Sequence, residues 1–85
     1  FEDLKLRLVG VYEDIGDLEG LRKYVEARLQ QDATDIEFRD LLAETLIRLG
    51  QFEAAEKQYL EILERAPRNG GMQEKLLALY QRMNR

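Results

Sequence analysis

The sequence contains no cysteine, histidine, serine or tryptophan, and only one proline. Each absence closes off a class of chemistry. Without cysteine there is no disulfide and no thiolate nucleophile, and the redox compartment stays open. Without Cys or His, a zinc site would rest on carboxylates alone. Without Ser, Cys or His, the usual nucleophile–base pairs cannot be assembled. Asp, Glu, Lys, Tyr and two threonines remain. No catalytic residue, cofactor or metal site is assigned from them, and the chain is read as a non-enzyme. Long apolar runs are missing too, which excludes a membrane-spanning helix. So is a basic stripe. The 13 basic and 17 acidic residues are interspersed and leave a net charge of −4. That balance argues against nucleic acid and anionic membrane as partners.

What is present fits one small soluble domain over residues 1–85, with 45% apolar and 35% charged residues. The chain starts at Phe1-Glu2-Asp3-Leu4, already in helical register and without an initiator Met, as a piece of a longer protein would. Arginine outnumbers lysine and glutamine is frequent, a usage common in bacterial proteins. Cytoplasm and periplasm are both compatible with it.

Hydrophobic spacing divides the chain into five helices. Leu4, Leu8, Val11, Tyr12 and Ile15 form one broad stripe that ends at Gly16, a residue suited to a left-handed helix terminus. Asp17 is placed to cap a second helix, whose stripe is Leu18, Leu21, Val25 and Leu29. Thr34 and Glu37 have capping-box spacing, with Ala33 and Phe38 positioned as a hydrophobic staple. Phe38, Leu41, Leu42, Thr45, Leu46 and Leu49 carry the third helix to Gly50. The fourth holds Phe52, Ala55, Tyr59, Ile62 and Leu63, and Pro67 stops it. After a turn at Arg68-Asn69-Gly70-Gly71, a fifth helix runs through Leu76, Leu77, Leu79, Tyr80 and Met83. Connections this short predict antiparallel neighbours.

The turns at Ile15-Gly16-Asp17-Leu18 and Leu49-Gly50-Gln51-Phe52 lie 34 residues apart. That period, with Leu42, Ala43, Leu46, Gly50, Phe52, Ala55, Tyr59 and Pro67 in one unit, resembles the tetratricopeptide repeat. The units run over 2–35, 36–69 and a partial 70–85. In the first, Leu8, Tyr12 and Gly16 match, whereas Val9, Leu21 and Ala33 depart from the pattern. The resemblance implies an all-α, TPR-like α-solenoid of antiparallel helix pairs: two full repeats plus the first helix of a third. Its motif residues are packing residues, so it speaks to fold more than to function.

In such arrays the first helix of each pair lines a concave groove. The resemblance therefore implies a partner-binding face built from Leu6, Gly10 and Glu13 in the first unit. The second unit would supply Glu37, Asp40, Glu44, Ile47 and Arg48, and the third Glu74 and Arg82. Its acidic character suits a basic or mixed-charge extended segment. Some members grip a peptide carboxylate with Lys, Asn and Arg, but Leu6, Gly10, Asp40 and Glu44 stand at four of those places. Binding of acidic chaperone C-termini is therefore not expected. Asp40 and Glu44 share a helix face and are read as solvated charges rather than an acid–base pair. Gly10, in mid-helix, is read as admitting a neighbouring side chain or as drift, and Tyr24 as an exposed ring off the main stripe.

Two functions follow. One is a scaffold module that holds a partner protein in a larger assembly, as similar bacterial scaffolds do in envelope assembly, secretion and polysaccharide export. The alternative is a spacer that stacks end to end. In that case Leu76, Leu77, Leu79, Tyr80 and Met83, which occupy more than one face of the last helix, would form a self-association surface.

Overall fold

The computed structural model describes the backbone of residues 2–84 and the side chains of residues 7–84. Five helices follow one another: α1 (Glu2–Ile15), α2 (Leu18–Gln31), α3 (Ile36–Arg48), α4 (Phe52–Arg65) and α5 (Gly70–Arg82). No strand occurs among the described residues. Both ends of α2 recur 34 residues later in α4, and α1, α3 and α5 start at that same spacing. Each helix packs on its neighbours in sequence, with α3 and α4 in the most extensive contact and α1 and α2 in the least. The radius of gyration is 12.8 Å, slightly above the roughly 12 Å of a spherical domain of this length.

The helix ends show why the chain breaks where it does. Gly16 and Gly50 have φ of 73° and 78°. Around Gly16, its N–H donates to Glu13 O and that of Asp17 to Tyr12 O; Gly50 and Gln51 repeat the pair on Ile47 O and Leu46 O. These are Schellman closures, which satisfy the last carbonyls of a helix. The left-handed residue recurs at the same spacing. Asn84 has φ 61°, and its N–H donates to Gln81 O. Asn is the residue after Gly that best tolerates this conformation. It extends the 34-residue series to 16, 50 and 84, a signal that periodicity in glycine alone misses.

The helix starts are periodic as well. Asp17 caps α2 by accepting from Gly20 N. Asp35 caps α3 by accepting from Phe38 N, and Asn69 caps α5 by accepting from Met72 N. The capping box expected at Thr34 and Glu37 is therefore replaced by a cap one residue later. The cause is local: Asp32 Oδ1 accepts from both the N–H and the hydroxyl of Thr34, at 3.1 and 2.6 Å. That side-chain turn occupies Thr34 and leaves Asp35 as the next acceptor.

The core is a single cluster that draws on all five helices, from Val9 through Leu21, Val25, Phe38, Leu46 and Tyr59 to Leu79. Ala55 and Ala43 are fully buried, and their small side chains let α3 and α4 approach. The stripe expected on α1 is corrected. Val9 is buried and Tyr12 packs on the core, but Leu8, Val11 and Ile15 are exposed, because α1 has a neighbour on one side only. Leu4 lies outside the described side chains. Tyr24 is also corrected. It is half-buried between two rings, 5.9 Å from Tyr12 and 6.2 Å from Phe38, and so joins α1, α2 and α3.

Candidate partner-binding face

Positions 40, 44 and 47 lie on one side of α3, away from the Phe38 side that meets α2. The equivalent positions of α1 and α5 are 34 residues before and after. Side-chain contacts join these three faces. Arg48 Nη1 of α3 donates to Glu13 Oε2 of α1 at 3.2 Å. Lys75 Nζ of α5 donates to Asp40 Oδ2 and Glu44 Oε1 of α3 at 2.7 and 3.0 Å. Alternate helices are thus neighbours at the level of their charged tips, although their backbones pack on α2 and α4.

Of the ten residues assigned to the groove, Glu13, Asp40, Glu44 and Arg48 are brought together by these bridges. Ile47 is half-buried and packs on the core, so it contributes to the face from below. Glu37 and Glu74 are exposed. Arg82 stacks its guanidinium over the Phe52 ring, 5.3 Å from the centroid, which draws it toward α4. Among the described residues, nothing lies within 4 Å of where a Cβ would stand at Gly10, so none of their side chains is admitted there. The Leu6 side chain lies outside the described residues.

Lys75 is the residue that the sequence reading missed. It converts Asp40 and Glu44 from solvated charges into a bridged pair, and makes the face mixed in sign rather than simply acidic. A Lys 35 positions beyond an Asp is the only trace of this in the sequence. Hydrogen bonding to Asp40 is the main reason the Lys75 ammonium holds its proton more tightly than a free lysine does, and Glu44 adds to it. Asp40 Oδ1 is buried with no hydrogen-bond partner among the described residues. Beneath it, burial pushes the Tyr59 hydroxyl up to about 12, and the negative charges of Asp40 and Glu44 reinforce the shift.

Arg39 is a second omission. In the structure it is buried, and its guanidinium donates to Gln58 Oε1, Glu61 Oε2 and Ala33 O at 2.7–2.9 Å. It ties the α2–α3 turn to α4, a structural role.

No group of three metal-ligating side chains occurs among the described residues. An open depression of about 400 Å³ is lined by Glu61, Glu64 and Arg65 of α4, which pair no nucleophile with a base. No helix among the described residues is long and apolar enough to cross a membrane. The five residues assigned to self-association separate: Leu76 and Leu79 are buried, Tyr80 and Met83 are half-buried against the core, and Leu77 is exposed. No model of a known protein family matches the sequence, and a search of curated proteins finds no significant relative.

Proposed function

We propose that this chain is a protein-binding module: a TPR-like stack of helix pairs that holds an extended segment of a partner protein against the face of α1, α3 and α5. The observation that carries this reading is the pair of bridges, Glu13–Arg48 and Asp40/Glu44–Lys75, which align three alternate helices along one charged surface. Such a surface is long enough for several residues of extended chain. Its exposed carboxylates at Glu37 and Glu74 favour a ligand rich in donors and positive charge. Arg48 and Lys75 add cationic points, so the preferred segment is basic or mixed in charge. Gly10, Asp40 and Glu44 provide no cationic grip for a peptide carboxylate, and an acidic C-terminus is disfavoured. The module would act inside a larger assembly, and a bacterial setting accords with its composition.

An NMR titration with two extended peptides of about eight residues, one Lys/Arg-rich and one Glu-rich, tests the reading. The basic peptide should shift Glu37, Glu44 and Glu74 amides saturably. Glu37→Lys with Glu74→Lys should weaken it by about tenfold. Equal binding of the acidic peptide, or affinity unchanged by both reversals, overturns it. The spacer reading is the weaker alternative, because burial of Leu76 and Leu79 leaves α5 only Leu77 as a large exposed apolar side chain.

A further inference from the structure

The middle of the proposed face already holds a cation of the chain's own. Asp40 and Glu44 lie one turn apart on α3. Lys75 Nζ of α5 donates to both, to Asp40 Oδ2 at 2.7 Å and to Glu44 Oε1 at 3.0 Å. A lysine ammonium carries three N–H donors, and these two bonds use all but one of them. The two carboxylates thus form a seat that fits one primary ammonium.

The core does not hold Lys75 in that seat. α5 docks through the buried Met72, Leu76 and Leu79. The side chains of Lys75 and Glu44 keep 38% and 46% of their surface exposed, while Asp40, at 21%, forms the floor. Ion pairs this open to water hold their partners by a factor of about five at most. The flexible four-carbon stem of lysine lets the ammonium swing out while α5 stays docked. Hydrogen bonding, to Asp40 above all, keeps the ammonium protonated well above the usual lysine range. No pH near neutrality therefore empties the seat, but a second cation can.

We infer that Lys75 is a built-in competitor for the Asp40–Glu44 seat: a lysine side chain of the partner segment replaces its ammonium there, which limits the affinity and fixes where along the face the segment's cation stands. The seat belongs to the binding face proposed above, so this role rests on that reading and adds to it one obligatory exchange. The other carboxylates assigned to the groove differ. Glu37 and Glu74 are exposed, and Glu13 meets a single arginine nitrogen at the longer distance of 3.2 Å.

The test is a titration of the full isotope-labelled chain with a lysine-rich peptide of about eight residues. As the peptide saturates, the Lys75 Cε and Nζ resonances should move toward those of the exposed Lys23 and Lys57. This readout needs no variant. Lys75→Met, which leaves the docking side chains of α5 in place, should tighten binding by about threefold or more, because the seat is then empty. Arg82→Met removes the same charge from the same helix about two turns on, and should change affinity less than about twofold. Tightening by Lys75→Met no greater than by Arg82→Met shows a bulk charge effect and overturns the inference. Saturation with the Lys75 resonances unmoved also overturns it. Either result leaves the binding face standing if Glu37→Lys with Glu74→Lys still weakens the peptide. Binding seen only with Lys75→Met upholds the exchange, and binding by neither chain up to about 1 mM overturns both readings.

Discussion

At the scale of single residues, two glycines inside helices behave in opposite ways. A methyl group at Gly10 adds helix propensity and meets none of the described residues. Gly10→Ala should stabilise the fold by about 0.5–1 kcal/mol, seen as a rise of a few degrees in the thermal midpoint. A Cβ at Gly20 would collide with the Asp17 carboxylate, which caps the same helix, and would come within 2.9 Å of the Tyr12 ring. Gly20→Ala should therefore lower the midpoint. Equal effects of the two changes would contradict this account. The sequence tells these positions apart poorly, because both are a glycine in an apolar-periodic stretch. What separates them is the orientation of the Asp17 cap and the nearby Tyr12 ring of α1, neither of which spacing alone reveals. The left-handed glycines at 16 and 50 were legible because their role is local. Asn84 was not, since asparagine is common in loops for other reasons.

At the scale of elements, helix existence and type followed from spacing, while the start of α3 did not. Thr34 and Asp35 are both good caps, and the choice fell to Asp32, which had already engaged Thr34. Burial was harder to read than helicity. The α1 stripe is as apolar in sequence as the stripes of α3 and α5, yet covering depends on whether another helix lies beside it. Arg39 belongs to this scale because it fastens one element to another. It crosses from α3 to Gln58 and Glu61 of α4 and to the carbonyl of Ala33 in the preceding turn. Arg39→Met keeps much of the volume and removes every donor. It should destabilise by about 2 kcal/mol, because a partly buried hydrogen-bond network that joins the turn to α4 loses its donor. Urea denaturation measures this, and a change of only a few tenths would show that water replaces the guanidinium fully.

At the scale of the whole molecule, stability should respond to alkali. Unfolded, a tyrosine loses its proton near pH 10, whereas burial holds the proton on Tyr59 to about 12. Between those values the unfolded chain binds fewer protons than the folded one, so stability falls as pH rises. Lys75 acts in the same sense. Its raised pKa contributes stability that is fully present below the ordinary lysine value and fades above it. The urea midpoint should therefore drop between about pH 9 and pH 11.5, and Tyr59→Phe should remove part of that drop. A flat profile in the unmodified chain would contradict the burial of this hydroxyl. The bridges that gather the candidate face were the least legible feature of all. They join residues 35 apart through a geometry that only the assembled stack creates.

Packing by sequence neighbours alone has a consequence for how such a chain changes length. Among the described residues every backbone packing interface is of one of two kinds, first helix to second within a unit or second helix to the first of the next, and charged bridges join alternate helices on one face. Inserting a duplicate of residues 36–69 after Asn69 would create no third kind. It would bring its own left-handed glycine, its own cap and its own buried stripe. Growth in steps of one unit then extends the charged face without redesigning a core, whereas inserting one or two residues inside a helix would turn its stripe away from the neighbour that covers it.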